Sequence, residues 1–458
     1  MLMVAQAPSA TGVELWFGRT GATPPPPHLM VEWSAAGQSE EVLASLNWWA
    51  CAGDAVSLRV ARVSLDGLPP GQRVSVRARS LDGAETTHLP VALRTLPTQL
   101  PAPGDAAGAF VVLLASCFYQ PNDREGRVGQ LVRNLPSELH PHLKVLCGDQ
   151  VYLDLPLQQL YPNDAAALQL ELARKVWRTW SHGAQQGGVG FAGLLALGST
   201  WFVADDHELW NNFPFATAVA RSTWTEGGRK RWGSAATALF DGFQRRPGGA
   251  GPQGLLALDL GTPGAPGAFS MRAIDGRRYR TRDRAHRAAD LQSVCAWLRG
   301  LQGPGVLVLS QPIFEEPAGF WAERFKDAGI VDLDDYAELV RALDEAPHDV
   351  LLLSGDIHRG RTAECPAGPG RRAIYEVVSS PIAICQGNEF TFDRAYPRHP
   401  ARAVSGVGAR AVGTRVQVAR NHVALLRFEQ AGNGVAVRVE FWPVPGTAPV
   451  AEDTFVLR

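Results

Sequence analysis

The chain has 458 residues, of which 45% are hydrophobic and 19% charged, an ordinary globular composition long enough for roughly two to four domains. With 44 basic and 45 acidic side chains the net charge is -1, which leaves no global field to favour nucleic acid or an acidic membrane surface. No apolar run approaches the roughly 18 residues of a membrane span, and six cysteines over this length are not a disulfide framework.

The N-terminus, Met1-Leu2-Met3-Val4-Ala5-Gln6-Ala7, has no basic region, and the first arginine is Arg19. Ala5-Gln6-Ala7 has the form of a leader-cleavage tripeptide, but the apolar segment before it is too short for a leader. The expectation is a cytoplasmic protein, with a removed leader left open. Residues 1–98 read as all-β. Short alternating segments at 13–17, 29–33, 56–63 and 73–79 are separated by Gly, Pro and Asp-Gly turns. Leu68-Pro69-Pro70-Gly71 leading into Arg73-Val74-Ser75-Val76 resembles the approach to a late strand of a fibronectin III-like sandwich. It carries Val74 where such sandwiches usually place a tyrosine. Residues 98–105, with Pro101 and Pro103, read as a linker.

From residue 108 the pattern becomes that of an α/β domain running to 458. Helices are expected over 165–180, 287–301 and 333–346, and strands over 110–115, 143–147, 305–310, 349–354 and 374–380. A closing hairpin is expected from segments 423–428 and 435–442 through Ala431-Gly432-Asn433-Gly434. Seven arginines between 272 and 287 read mostly as a solvated basic surface, with one or two free to fork a phosphate or carboxylate. Cys51, Cys295, Cys365 and Cys385 read as buried thiols, and the tryptophans at 201, 210, 224 and 232 as loop packing.

Four apolar runs end abruptly in polar chemistry: Ala115 in Ser116-Cys117, Cys147 in Gly148-Asp149-Gln150-Val151-Tyr152, Val203 in Ala204-Asp205-Asp206-His207-Glu208, and Ser354 in Gly355-Asp356-Ile357-His358. Strands without alternation are those covered on both faces, and such sheets bind ligands beyond their carboxyl ends. Several carboxylates at the mouth of a core strand repel one another unless a cation is bound or the loop is solvated. A helix cap at Asp205 or Asp206 is the plainer alternative. Asp149 and Tyr152, three apart on one turn, can reach a single ion. Phenolate and carboxylate, with or without a thiolate, suit trivalent iron better than zinc, while the extra carboxylates and the amides of Asn211 and Asn212 suit calcium or magnesium. His207 is placed to protonate a leaving alkoxide.

Taken together, Ala-Ser-Cys at 115–117, Gly-Asp-Gln-Val-Tyr at 148–152, Asp-Asp-His-Glu with Asn-Asn at 205–212 and Ser-Gly-Asp-Ile-His at 354–358 resemble the PhoD-like alkaline phosphatases of the calcineurin-like metallophosphoesterase superfamily, over about residues 108–385. The resemblance implies a layered metallophosphoesterase sandwich preceded by an accessory β-sandwich. It also implies a phosphoesterase acting on monoesters, diesters or both, with iron (Fe3+) and calcium held by Cys117, Asp149, Tyr152, Asp205, Asp206, Asn212, Asp356 and His358. Zinc, manganese and magnesium stay open. His207 falls at the position of the leaving-group acid, and Arg277, in Asp275-Gly276-Arg277-Arg278-Tyr279-Arg280, at that of a substrate-contacting arginine. Ser310-Gln311-Pro312 stands where other branches place a metal histidine. The twin-arginine export signal common in the family is absent from this sequence. The competing readings are a non-catalytic metal-containing binding protein and a metal-dependent hydrolase of another ester or amide bond.

Overall fold

The computed structural model describes residues 1–51, 58–106, 108–157, 159–217, 220–244, 255–318, 328–384 and 394–458. Two sheets face each other across an apolar core. In the first, the parallel strands Phe110–Ala115, Leu143–Cys147 and Ser199–Val203 lie side by side. The antiparallel strands His422–Ala431, Gly434–Pro443 and Ala451–Leu457 extend the sheet beyond Phe110–Ala115. In the second, Phe269–Ile274, Gly305–Val308, Val350–Ser354 and Ile374–Val378 run parallel, edged by the antiparallel strands Leu255–Leu260, Gly360–Cys365 and Gly413–Val418. The expected hairpin is present, with Ala431 paired to Gly434 and Gly432 in the left-handed region (φ 60).

The strands lack alternation because both of their faces are covered. On Phe110–Ala115, the side chains of Phe110, Val112 and Leu114 enter the core between the sheets, against Met271, Val308 and Leu351. Val111, Leu113 and Ala115 pack outward with Leu168, Leu172, Val176 and Trp180 of the helix Ala165–Trp180. On the far side, the helices Ala288–Arg299 and Asp335–Asp344 cover the second sheet through Leu291, Val294, Leu339 and Leu343. The order is helix, sheet, sheet, helix.

The N-terminal part is a sandwich of two sheets, and one of them is continuous with the large core sheet. Leu2–Gln6 pairs parallel with Ser199–Val203 through Gln6 and Thr200, and antiparallel with Gly12–Arg19. That strand comes from the segment read above only for a leader. The other sheet, Gln38–Ser45, His28–Ala35, Arg73–Ser80 and Val91–Arg94, closes the sandwich. Hydrogen bonds therefore cross the boundary expected near residue 98, and Ala92 also bonds Ala196 and Gly198. No helix among the described residues is long and apolar enough to cross a membrane. Cys51, Cys295 and Cys365 are buried free thiols; Cys385 lies outside the described residues.

The arginine segment corrects the expectation of a solvated basic surface. Arg272, Arg278, Arg284 and Arg287 pair with Asp259, Asp241, Asp335 and Asp290 respectively, and Arg277 and Arg280 are buried. Among the tryptophans, Trp201, Trp210 and Trp232 are buried and Trp224 is exposed.

Candidate metal centre

Strands of both sheets present their carboxyl ends at one edge, and the predicted residues meet there. The backbone turns sharply as each strand ends. Eight described non-glycine residues have positive φ, and five of them are expected ligands: Cys117, Asp149, Asn212, Asp356 and His358. Such backbone costs about 1–3 kcal/mol per residue and survives where surrounding structure enforces it. Two glycines make the turns possible by close approach. A Cβ on Gly148 would sit 2.3 Å from the Asp205 Cβ, and one on Gly355 would sit 2.4 Å from Ser116.

Three sets of side chains have ligand atoms within reach of a common ion: Cys117, Asp149 and His358; Asp149, Asp206 and His207; and Asp149, Asp205, Asp206 and Asp356. Asp149 belongs to all three, so it would be a ligand common to any ions held there. The Tyr152 hydroxyl lies 3.3 Å from Asp149 Oδ2 and 3.3 Å from His358 Nε2, which places it with the first set. Cys117 Sγ is 3.5 Å from Asp149 Oδ2. Asn212 donates its backbone N–H to Asp206 Oδ2 at 2.9 Å.

The donor set behaves electrostatically as a site for cations. Burial, followed by the Asp149 and Asp356 carboxylates, holds the Cys117 thiol well above its ordinary range. Burial, then Cys117 and Asp149, do the same to the Tyr152 phenol. Burial, with Asp205 and Glu208, pushes Asp149 up to about 7 against the pull of His207. Acids that suppress one another's ionisation in a buried cluster are relieved by a bound cation. Asp205 Oδ2 and Asn212 Oδ1 are also buried without a hydrogen-bond partner, as hard oxygen donors left for an ion would be.

His207 stands beside this cluster. Its Nδ1 lies 2.7 Å from Asp154 Oδ1, and Asp154 Oδ2 is held by the Asn211 N–H at 2.8 Å. Burial pulls the imidazole pKa down, but the Asp154, Asp206 and Asp149 carboxylates outweigh it and hold the group well above its usual value. Arg277 is fully buried, with Nε donating to Asp205 Oδ1 at 2.7 Å. It pairs with a carboxylate of the ligand cluster.

Three further side chains organise the site. Glu208 accepts the backbone N–H groups of Asp149 (2.8 Å), Gln150 (2.6 Å), Val151 (3.3 Å) and Asp205 (2.9 Å), and so fastens two ligand loops to each other. Its spacing from Asp205, Asp-x-x-Glu, is a capping-box pattern readable in the sequence. The cap alternative thus coexists with the metal site. Asp154 lies two residues beyond Tyr152, and no sequence signal gives it a partner. Gln311 donates Nε2 to Asp356 Oδ2 at 3.1 Å and accepts from Arg280 Nη1 at 3.2 Å, so the departure at 310–312 is a support for a ligand.

No family model matches the chain, and no curated protein matches it. Among solved structures, that of PhoD superposes on 100% of this chain and 91% of its own, with a TM-score of 0.62 and 14% sequence identity. At that identity the likeness is one of architecture, and it spans both the N-terminal sandwich and the layered domain: the chain has a PhoD-like fold.

Proposed function

We propose that the chain is a metal-dependent phosphoesterase acting on phosphate monoesters, diesters or both. The observation that carries this reading is the sharing of Asp149 between a Cys117–His358 set, with Tyr152 against it, and an Asp205–Asp206–Asp356 carboxylate set, with His207 adjoining. Thiol, phenol, imidazole and carboxylate together suit ferric iron. The carboxylates with the Asn212 amide oxygen suit calcium, and as hard oxygen donors they also take magnesium or manganese, with zinc still open. Cations held there would supply the charge that polarises a phosphoryl group and activates water near neutral pH.

The protein's own part falls to a few side chains. Asp154 takes the Nδ1 proton of His207 as a hydrogen bond, which fixes the ring and leaves Nε2 as the proton-donating atom for a leaving alkoxide. Arg277 holds Asp205, and Gln311 holds Asp356, so the hard carboxylates are oriented before substrate arrives. Elemental analysis of untagged protein beside a screen of aryl phosphate mono- and diesters tests the reading. Stoichiometric metal with turnover on either ester class is expected. Metal-free protein that stays inactive after loading with iron and calcium would end it.

A further inference from the structure

Exposed apolar side chains are concentrated beside the metal centre. Among the described residues eight large apolar side chains are exposed, and four of them, Leu157, Leu160, Phe215 and Trp224, stand on two loops that start from the site. Leu157 and Leu160 follow Asp154 and precede the helix Ala165–Trp180. Phe215 and Trp224 follow Asn212 and precede the helix Glu226–Phe243. The other four are Leu43 and Leu81 in the N-terminal sandwich and Val450 and Val456 near the C-terminus.

Both loops are tied to the side of the site that holds His207. The Leu153 N–H donates to the His207 carbonyl at 3.1 Å, and the hydroxyl of Tyr161, next to Leu160, donates to the Leu153 carbonyl at 2.7 Å. On the second loop the Phe215 N–H donates to the Asn212 carbonyl at 2.9 Å, and the Phe215 carbonyl accepts from Trp210 Nε1 at 2.6 Å. The Trp224 indole donates to the Thr217 carbonyl at 2.8 Å, and Thr217 Oγ1 donates to Asn211 Oδ1 at 3.2 Å. Asn211 in turn holds Asp154, the carboxylate that fixes His207. These bonds hold the loops and leave the four apolar side chains in water. Half-buried Tyr119, its ring edge-on to Tyr152 at 5.6 Å, carries aromatic surface on toward the ligands. The fold gains nothing from apolar groups left exposed, whereas such groups gathered at a polar site mark a ligand groove.

We propose that Leu157, Leu160, Phe215 and Trp224 form an apolar rim that takes the alcohol portion of the substrate, so that the chain selects phosphate esters of large apolar alcohols, aryl or alkyl. This rests on the phosphoesterase reading. The occupant follows from position: His207 would deliver its proton to the leaving oxygen, and the group attached to that oxygen lies on the side from which both loops spring. Cations would take the phosphoryl oxygens, which leaves the rim the carbon part to recognise. Contact with a part of the substrate that does not react supplies binding energy.

The test is calorimetric titration of the metal-loaded protein with methyl-, hexyl-, octyl- and phenylphosphonate, whose C–P bond is not hydrolysed, beside kcat/KM for methyl and octyl phosphate. Burying a methylene completely is worth about fourfold and burying half of it about twofold, so octylphosphonate should bind about 100-fold more tightly than methylphosphonate. Leu160→Ser, at a position 83% exposed, should cut that octyl-to-methyl ratio about threefold, and Leu160→Ser/Trp224→Ser about tenfold or more, while Leu81→Ser in the sandwich keeps the wild-type ratio. If the double variant fails to fold, Leu160→Ser decides alone. Phenylphosphonate bound more tightly than hexylphosphonate identifies an aryl alcohol, and the reverse order an alkyl one. A wild-type ratio near one, or a ratio that Leu160→Ser does not move, would overturn the rim, and turnover of both esters would leave the phosphoesterase reading standing. A steep phosphonate series with no turnover of either ester would instead refute that reading and keep the rim as the site of an apolar ligand group. Self-association abolished by Leu160→Ser, with a flat phosphonate series, would assign the patch to a second copy of the chain and overturn the proposal.

Discussion

Replacing Glu208 by Gln should have opposite consequences with and without cations. In the metal-free chain Glu208 is buried beside Asp205; burial, with that carboxylate, lifts it to about 7 even though backbone N–H groups favour its ionised form. A carboxyl raised above its ordinary value contributes stability that is present at low pH and lost as pH rises through about 7. Glutamine removes that loss. The metal-free variant should therefore be as stable as wild type near pH 7.5, or slightly more so. Cations held by Asp149 and Asp205 would cancel the repulsion, and the four N–H contacts would then dominate.

Glutamine keeps one acceptor oxygen and turns an amide donor toward two N–H donors, so about two charge-assisted hydrogen bonds are lost. At about 1.5–3 kcal/mol each, the loaded state loses about 3–6 kcal/mol. By the thermodynamic cycle this appears as metal affinity, a fall of at least about 100-fold, at or beyond the upper end of what outer-shell changes usually cost. Urea denaturation with and without chelator, together with metal-buffer titration, measures both arms. Equal destabilisation of the two forms would reduce Glu208 to scaffold, and unchanged affinity would refute the reasoning outright.

If Tyr152 binds ferric iron as a phenolate, the wild-type protein should absorb visible light. Tyr152→Phe should bleach or shift the band with little change in thermal stability; a colourless, iron-free and fully active protein ends the iron assignment. His207→Ala should slow alkyl phosphate hydrolysis about 10²–10⁴-fold and nitrophenyl ester hydrolysis far less, since only the former needs a proton; equal losses, or lost metal, would make His207 a ligand. His399 is buried with no partner on either ring nitrogen, and burial, then Arg410, hold it down to about 3. Its neutral form is the folded one, so stability is lost as pH falls below about 6.5, by about 1.4 kcal/mol per unit. His399→Leu should flatten the stability slope between pH 6 and 4 by that amount, and an unchanged slope in urea denaturation would contradict the burial argument.

The strand ends were legible because two physical demands conflict there: a strand covered on both faces must be apolar, and Asp149, Asp205 and Asp356 follow such strands within a few residues. The long helix Glu226–Phe243 was not legible. Gly227, Gly228, Gly233 and Gly242 lower its intrinsic propensity, yet packing forms it: a Cβ on Gly228 would lie 1.7 Å from the Ser222 carbonyl, and one on Gly242 2.5 Å from Cys51 Sγ. Those glycines buy close approach, which a local reading scores only as cost. The strand Leu2–Gln6 escaped for a different reason. Its apolar run says that it is buried, but nothing in it names Ser199–Val203, almost 200 residues away, as the partner. Arg277 shows the same limit for charge, since its partner Asp205 is 72 residues away.

Strain and repulsion fall on the same residues in this protein. Cys117, Asp149 and Asp356 hold left-handed backbone, and the two carboxylates are what drive the Cys117 thiol further up once burial has acted. Either cost alone could be relieved locally, by a glycine at the turn or by an amide for a carboxylate. A cation held by these side chains would relieve both together, because it would also reward the backbone that aims them. The edge where the two sheets meet is thus least stable by itself where it is best prepared for metal. Binding and local folding there are two readings of one free energy. Local opening should accordingly concentrate at 116–118, 148–152 and 355–358 when metal is stripped, while the strands Phe110–Ala115, Leu143–Cys147 and Val350–Ser354, sealed on both faces, keep their protection.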